Sequence, residues 1–479
     1  MKLRVNFLRS LAEPVAMLAI DALLVIGVFQ LAVFIRTKVL PLVYVGFPVE
    51  LPFRSLLGIW WIFLLWMVFF YYEGLYNKRF SHWDEVKALW KVSFFSTVGV
   101  FAIVSMAKLG GSISRTVVII MGIVSLFLPI VRLAMKRALR KFGLFKRKVL
   151  ILGAGETGRL IADALRKEPN YGYDVVGFLD DDPEKVGSVI DGIKVHRGVD
   201  RAKNYLKMCG IKDVFIAMPG AGRERLQGLI NALQHKAERV LFVPDMFGIA
   251  VVGTSLQHFF NEAAFALEVK NNLERLLNIL IKRFFDAVVS VVLMPILSVP
   301  MAVMAFLIRL DSKGPALFSQ ERIGKYGKPF KCIKFRTMYE DAEDRLRELL
   351  KNDAGAKSEY EQYWKLKNDP RVTRVGRFLR ATSLDELPQI FNVLRGEMSL
   401  VGPRPYLPRE REDIGEHYDT ILLIKPGMTG LWQVSGRSGT SYAYRIALDL
   451  WYVRNWNLWL DIMILFKTVK VVFKREGAY

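Results

Sequence analysis

The chain has 479 residues, enough for two or three domains, and carries a formal charge of +22 with a sequence pI near 9.8. It is also 52% hydrophobic with a mean hydropathy of +0.24, which argues against nucleic acid as a partner and for an anionic membrane surface. The two cysteines, Cys209 and Cys332, form no CxxC pair and the five histidines are scattered, so neither a disulfide framework, a zinc site nor a histidine-based triad is expected.

Four apolar runs fill the first third, at about 11–35, 56–72, 92–107 and 116–135. A spanning helix needs about 20 mostly apolar residues, so these read as a four-helix transmembrane domain over 1–145. The first run is long and lacks a small-residue cleavage site, so no cleavable signal peptide is expected. Trp60, Trp61, Tyr71 and Tyr72 resemble interface anchors. Lys2, Arg4 and Arg9 precede the first run, Lys78, Arg79, Lys87 and Lys91 follow the second, and eight cations between 132 and 148 follow the fourth. The remaining loops hold fewer (Arg36, Lys38 and Arg54, then Lys108 and Arg115), which places the N-terminus and everything after Met135 on the cytoplasmic side.

A buried strand is expected at 148–152, followed by Gly153-Ala154-Gly155-Glu156-Thr157-Gly158 and a helix at 159–166. A second strand at 175–179 ends at Asp180-Asp181-Asp182, and further strands are expected at 213–218 and 240–243. This is the dinucleotide fingerprint in a strand–turn–helix setting, so 146–262 reads as a Rossmann-like α/β domain. Gly153, Gly155 and Gly158 either cradle a nucleotide or only permit a tight turn and close helix–sheet packing. Tyr363 and Lys367 have the spacing of a reductase pair but lie some 200 residues beyond the glycines, and the coincidence is taken as chance.

The segment 287–308 is almost wholly apolar, is interrupted by Pro295 and Pro300, and has Lys282 and Arg283 before it and Arg309 and Lys313 after it. Basic residues on both flanks predict a membrane helix at about 284–309 that breaks and returns to the same face, with Ser298 available to satisfy freed carbonyls. Short strands follow at 316–319 and 330–335, then a charged helix at 340–350.

The most informative stretch is Thr382-Ser383-Leu384-Asp385-Glu386-Leu387-Pro388-Gln389. Lys365, Lys367, Arg371, Arg374, Arg377 and Arg380 precede its two acids, and Arg395 and Arg404 follow. Adjacent carboxylates repel unless arginines, a metal or both compensate, and such a site suits a phosphorylated substrate. The local alternatives are structural: Asp385 as a helix N-cap, or Ser383 and Glu386 as a capping box. Val401-Gly402-Pro403-Arg404-Pro405 presents Arg404 from a rigid turn, as a phosphate ligand or merely an exposed arginine. A last helix carries Leu458, Ile462, Leu465, Phe466, Val469 and Phe473 at helical spacing beside Lys467, Lys470 and Lys474, which fits either a membrane-interface helix or core packing.

Lys334-Phe335-Arg336-Thr337-Met338, the Asp385–Glu386 stretch, Met398-Ser399-Leu400-Val401-Gly402-Pro403-Arg404-Pro405 and the turn-rich segment 425–437 closely resemble the bacterial polyprenyl-phosphate hexose-1-phosphate transferases. The whole layout resembles the long form of that family, whose nearest members act as undecaprenyl-phosphate galactose or glucose phosphotransferases. The resemblance implies membrane helices, a Rossmann-like module and a small α+β catalytic domain over 273–479, anchored by a re-entrant helix and interfacial helices. It implies Asp385 as nucleophile on the β-phosphate of a UDP-hexose, UMP as leaving group, undecaprenyl phosphate as acceptor, and Glu386 as a ligand of Mg2+. Lys334, Arg336, Arg380 and Arg404 are the candidates for holding phosphates. An aspartate of ordinary pKa, about 3.9, would already be ionised and need no base. The resemblance further implies a homodimer in the bacterial inner membrane serving O-antigen, capsule or exopolysaccharide synthesis, with the catalytic domain on the cytoplasmic face. The family's helix usually breaks at Ser-Pro, whereas Ser298 is followed here by Val299, which leaves the apex open. The competing readings are a membrane-bound nucleotide-sugar dehydratase or epimerase, and a non-enzymatic scaffold of polysaccharide assembly.

Overall fold

In the computed structural model the described residues are 2–43, 59–107, 114–244, 255–259, 264–268, 276–353, 355, 357, 360, 366, 369–435 and 441–474. Arg54, Lys108, Tyr363, Lys365, Lys367, Gly436 and Arg437 lie outside them. The chain divides into two compact units, Met1–Met246 and Phe247–Tyr479.

The first unit begins with α1 (Lys2–Phe34), continued by the helical turns Ile35–Val39 and Leu40–Val43, then α2 (Trp60–Glu73), α3 (His82–Met106), α4 (Arg115–Ser125) and α5 (Leu128–Lys141). Two helical stretches, Glu13–Val43 and α3, are long and apolar enough to cross a membrane. The α4–α5 pair passes the same test only together, bent by 50°. The single run expected at 116–135 therefore divides. Pro129 has no amide to donate and its ring crowds the carbonyl of Ser125, the residue at which α4 ends. With 14 residues, α2 is shorter than the expected run. The helix α3 starts ten residues earlier than its apolar run, where Ser81 Oγ caps it by accepting from the Asp84 amide at 3.1 Å.

These helices enclose a buried ionic cluster. Arg132 donates through Nε to Asp21 Oδ1 at 2.7 Å and through Nη1 to Glu85, and Lys136 donates to Glu85 at 2.5 Å. Asn170, from the sheet module, donates to the same Glu85 at 2.7 Å and to the Phe80 carbonyl at 3.1 Å. Arg79 reaches the Tyr171 carbonyl at 2.5 Å, and the Phe145 amide donates to Glu13 at 3.0 Å. Burial of such charges is tolerable only because each has partners.

The sheet module comprises β1 (Arg147–Leu152), β2 (Tyr173–Asp180), β3 (Val189–Ile190), β4 (Ile193–Arg197), β5 (Asp213–Ile216) and β6 (Arg239–Phe242). They lie in the order β3-β4-β2-β1-β5-β6. All neighbours are parallel except the β3–β4 pair. The parallel strands thus run 3-2-1-4-5 in their own sequence, the doubly wound order of nucleotide-binding folds. Helices α6 (Glu156–Lys167), α7 (Ala202–Cys209) and α8 (Arg223–Gln234) accompany them. The expected strands all form, extended or trimmed by up to two residues.

Packing demands two of the three fingerprint glycines. Gly153 has φ +98°, and a Cβ there would lie 2.5 Å from the Ala217 carbonyl oxygen. At Gly158 a Cβ would lie 2.1 Å from the Gly153 carbonyl oxygen, whereas at Gly155 it would meet nothing within 4 Å. The Ala154 amide of this turn donates to Asp180 Oδ2 at 2.7 Å, so the carboxylate at the end of β2 already occupies one of the loop's donors.

The second unit holds the hairpin β7 (Ser255–Phe259) and β8 (Ala264–Glu268), then α9 (Leu276–Asp311). The antiparallel hairpin β9 (Leu317–Ile323) and β10 (Pro329–Phe335) follows, with α10 (Ala342–Asn352), α11 (Arg374–Thr382) and α12 (Ile390–Arg395). The parallel pair β11 (Ser399–Val401) and β12 (Gly427–Thr429), then α13 (Tyr442–Asn455) and α14 (Leu458–Lys474), complete it.

The break expected in the apolar segment is not a break in secondary structure, since α9 is helical for 36 residues through Pro295 and Pro300. Ser298 Oγ donates to the Pro295 carbonyl at 2.8 Å, not to the Val291 and Ile296 carbonyls that the two prolines leave without an amide. Both ends of α9 are bonded to the same unit. Near its start Lys282 Nζ donates to Asp461 at 2.7 Å and to the Val401 carbonyl at 3.0 Å, and Asp286 accepts from Ser399 Oγ at 2.7 Å. At its last residue Asp311 accepts from the Val375 amide at 2.9 Å. Between these anchors Val291, Val292, Ile296, Val299 and Phe306 are exposed.

The helix α14 has a buried and an exposed face. Leu460, Asp461 and Ile464 face the core, while Phe466 and Val469 are exposed.

Candidate active site

The site is assembled from two sequence motifs brought side by side. Asn392, fully buried on α12, accepts from the Ile333 amide at 3.0 Å and donates to the Lys331 carbonyl at 2.8 Å. That clamp fixes β10 in register beside the segment Leu384–Gln389, a 3-10 helix carrying both acids. Lys334 Nζ then meets Glu386 Oε1 at 2.7 Å, with both side chains partly exposed. The helix α11 approaches from the other side: a Cβ at Gly376 would lie 2.0 Å from the Thr337 carbonyl oxygen, so only glycine permits the contact. Arg380 at the end of α11 donates through Nε to Thr337 Oγ1 at 3.0 Å.

Neither capping role holds for the acids. Ser383 joins α11 to the 3-10 helix in a left-handed conformation, φ 56°, and its side chain makes no cap hydrogen bond. The dyad's carboxylates are therefore not committed to a helix end. Asp385 is not an ordinary aspartate: burial first, and the neighbouring Glu386 second, push its pKa up to about 6, against the pull of Lys334 and Arg380. At neutral pH roughly nine-tenths of it is still ionised, so the expectation of an unperturbed carboxylate is corrected while the need for a base does not arise.

Arg404 reaches the site through backbone packing. A Cβ on Gly427 would lie 2.0 Å from the Gly402 amide, and one on Gly430 would lie 2.4 Å from the Gly402 carbonyl oxygen. The two turn-rich motifs can thus pair as β11 and β12 only because these positions lack side chains. Asp449 of α13, fully buried, accepts from the Tyr406 hydroxyl at 2.7 Å and the Arg404 amide at 3.2 Å, and burial raises its pKa to about 7. The Arg404 guanidinium lies 5.9 Å from the Trp432 ring centroid and 4.0 Å from Glu410. Arg336 also lines the site, while its Nη2 donates to the carbonyl and hydroxyl of Ser312 at 2.8 and 3.0 Å, which ties β10 to the end of α9.

Lys334, Arg336, Arg380, Asp385, Glu386 and Arg404 line one cavity of about 2790 Å3. Val289, Leu293 and Leu297 of α9 and Leu465, Phe466 and Val469 of α14 line its apolar side. The residues that sequence reasoning missed are Arg322, Asp449, Trp432, Tyr442 and Arg445. Asp449 did leave a signal, being an acid within the apolar run Ile446-Ala447-Leu448-Asp449-Leu450-Trp451. Among the described residues no group of three or more His, Cys, Asp or Glu gathers as a metal cage. Two adjacent carboxylates do fit Mg2+, which is commonly held by one or two carboxylates and completed by substrate phosphate oxygens.

Residues 277–475 match the family model described as bacterial sugar transferase, and residues 61–244 match one described as a CoA-binding domain. The chain is 40% identical over 409 residues to an undecaprenyl-phosphate galactose phosphotransferase of Salmonella typhimurium, covering 84% of both chains. It is 37% identical over 410 residues to a UDP-galactose-lipid carrier transferase of Erwinia amylovora, again covering 84% of both. To a UDP-glucose:undecaprenyl-phosphate glucose-1-phosphate transferase of Escherichia coli it is 33% identical over 349 residues, 71% of each chain. Related to these proteins over most of its length, and carrying a cavity with a paired acid dyad, flanking cations and an apolar wall, the chain belongs to the bacterial sugar transferase family.

Proposed function

We propose that the chain transfers hexose 1-phosphate, galactose or glucose, from a UDP-hexose to undecaprenyl phosphate and releases UMP. The observation that carries this reading is the cavity in which the acid dyad and its cations share space with the apolar faces of α9 and α14. A water-soluble diphosphate and a lipid phosphate can both reach Asp385 there.

Asp385 attacks the sugar-bearing phosphorus of the donor. The new bond is an aspartyl oxygen to phosphorus, and the bond that breaks leaves UMP with the bridging oxygen. A phosphate oxygen of undecaprenyl phosphate then attacks the same phosphorus, and the carboxylate of Asp385 is regenerated as the lipid diphosphate-sugar departs. Splitting the transfer in two lets each partner approach separately. Lys334 and Arg380 lie where they offset the charge of the dyad and of the phosphate oxygens. Glu386, with Asp385, would hold Mg2+, whose charge is shared with phosphate oxygens during such transfers. Arg404 supplies a further phosphate ligand.

The membrane arrangement follows the same reading. Residues 1–145 form the transmembrane domain, 146–262 the Rossmann-like domain and 273–479 the catalytic domain, in the bacterial inner membrane with the catalytic domain cytoplasmic. The helix α9 dips into the bilayer and returns; the support is that Lys282, Asp286 and Asp311, at its two ends, all bond to the same unit. No chemical step is assigned to Gly153, Gly155 and Gly158.

The test is UMP release by the full chain in detergent with undecaprenyl phosphate and Mg2+, across a panel of UDP-sugars. Release from UDP-galactose or UDP-glucose that vanishes in Asp385→Asn is expected. Full activity in that variant would refute the nucleophile assignment, and no release from any UDP-sugar would refute the reaction.

A further inference from the structure

An arc of guanidinium groups leads away from the dyad, and the reaction as derived uses only one of them. Arg322, on β9, lies within electrostatic reach of Glu386 at one end and of Arg404 and Glu410 at the other. Its Nη1 donates to the Pro405 carbonyl at 3.0 Å and its Nη2 to Gln320 Oε1 at 2.7 Å, while its buried Nε has no partner. Beyond it the guanidinium groups of Arg404 and Arg445 share one indole, 5.9 and 5.3 Å from the Trp432 ring centroid. Burial first, and the Arg404 charge next, lower the pKa of both Arg322 and Arg445. Like charges crowd here, with Glu410 no closer to Arg404 than 4.0 Å.

Two neutral groups lie at the same end of the cavity. Trp432 Nε1 and the Tyr442 hydroxyl are buried without a hydrogen-bond partner. Buried polar atoms in a folded protein are nearly always satisfied, so two orphans beside paired arginines mark a place where a ligand supplies the acceptors. All these side chains line the cavity that holds Asp385.

We propose that Arg322, Arg404 and Arg445, with Trp432 Nε1 and the Tyr442 hydroxyl, form a subsite for the nucleoside monophosphate half of the donor. The inference rests on the transfer reaction proposed above and assigns its leaving group a place. Two negative charges accumulate on the monophosphate as the bridging bond breaks, and the guanidinium groups meet them with preformed, partly desolvated charge. The sugar-bearing phosphorus then lies toward Asp385, and the nucleoside toward Trp432 and Tyr442.

The experiment uses the full chain in detergent micelles with three variants, Arg445→Ala, Trp432→Phe and Tyr442→Phe. Radiolabelled UMP is titrated by equilibrium dialysis, and KM is measured separately for the UDP-hexose and for undecaprenyl phosphate. Loss of a charge-assisted contact predicts about tenfold weaker UMP binding and about a tenfold higher KM for the UDP-hexose in Arg445→Ala. The two conservative variants should each weaken both by a few-fold, and KM for undecaprenyl phosphate should stay unchanged in all three. Unaltered UMP binding in Trp432→Phe and Tyr442→Phe overturns the subsite, and these two decide the matter if Arg445→Ala does not fold. A raised KM for undecaprenyl phosphate alone gives the arc to the acceptor's phosphate and equally overturns it. A wild-type chain that binds UMP but transfers nothing would fail the reaction while leaving the subsite standing.

Discussion

Replacing Asp385 by asparagine should abolish transfer and make the protein more stable. Its carboxyl pKa rises from the ordinary 3.8 to about 6 in the folded chain. A rise of about two units corresponds to about 3 kcal/mol by linkage, and partial solvent contact reduces this to about 2–3 kcal/mol. The sign follows from which state binds the proton. Below about pH 4 the folded and unfolded chains both carry it, and ionisation costs nothing. Between about 4 and 6 the unfolded chain releases it first, so the native aspartate becomes progressively destabilising. Above about 6 the full penalty applies. Asparagine, uncharged and of the same shape, never incurs it. Thermal melting of the full chain in EDTA, which keeps divalent cations from compensating the charge, should therefore show a gain at pH 8. At roughly 2–4 °C per kcal/mol for a unit of this size, the gain is about 4–12 °C. It should shrink toward zero as the pH approaches 4. No gain at pH 8, or one that persists undiminished at pH 4, would refute the account of the site's electrostatics.

Glu386→Gln removes the second cause of that raised pKa, so the acidic limb of Asp385-dependent donor cleavage, read as UMP release against pH, should move below pH 6. Gly427→Ala forces a Cβ to within 2.0 Å of the Gly402 amide. It should cost about 2 kcal/mol or more in melting experiments and cut transfer by displacing the Arg404 turn, since neither contacting atom can move independently of the backbone. Lys282→Met leaves Asp461 buried without its cation and should destabilise the unit by about 3–5 kcal/mol, whereas the double variant with Asp461→Asn, uncharged yet still able to accept from Tyr452 and Trp456, should recover most of the loss. Recovery that fails to appear would show that Lys282 acts otherwise than by neutralising Asp461.

The strands of the sheet were legible because a buried parallel strand is a continuous apolar run and its turn needs glycine; both signals are local. The dyad was legible for the same reason, as an acidic pair between runs of cations. The positions that escaped reading depend on distant chain. Asp449 matters through Arg404 and Tyr406, more than 40 residues earlier, and Arg322 through Pro405, 83 residues later. Glu386 beside it was a local sign of a raised pKa, but nothing near Asp385 in sequence announces the burial that is the larger cause. The bend between α4 and α5 did have one, Pro129, which hydropathy alone passed over because proline barely alters an apolar average. In α9 two prolines pointed the opposite way and the helix nevertheless continued, held along its length by contacts to Phe335, Leu379 and Ile390.

The buried charges around Arg132 decide how this chain can be dissected. A cut between residues 145 and 146 looks natural from hydropathy, since greasy helices end and an alternating α/β pattern begins. Such a cut would strip Glu85 of Asn170, Arg79 of the Tyr171 carbonyl, and the Asn77 carbonyl of Arg239. Each fragment would expose a charge or dipole that its own residues were never arranged to satisfy. Truncations, domain swaps and natural recombination should respect this seam, and a junction after Met246 leaves it whole.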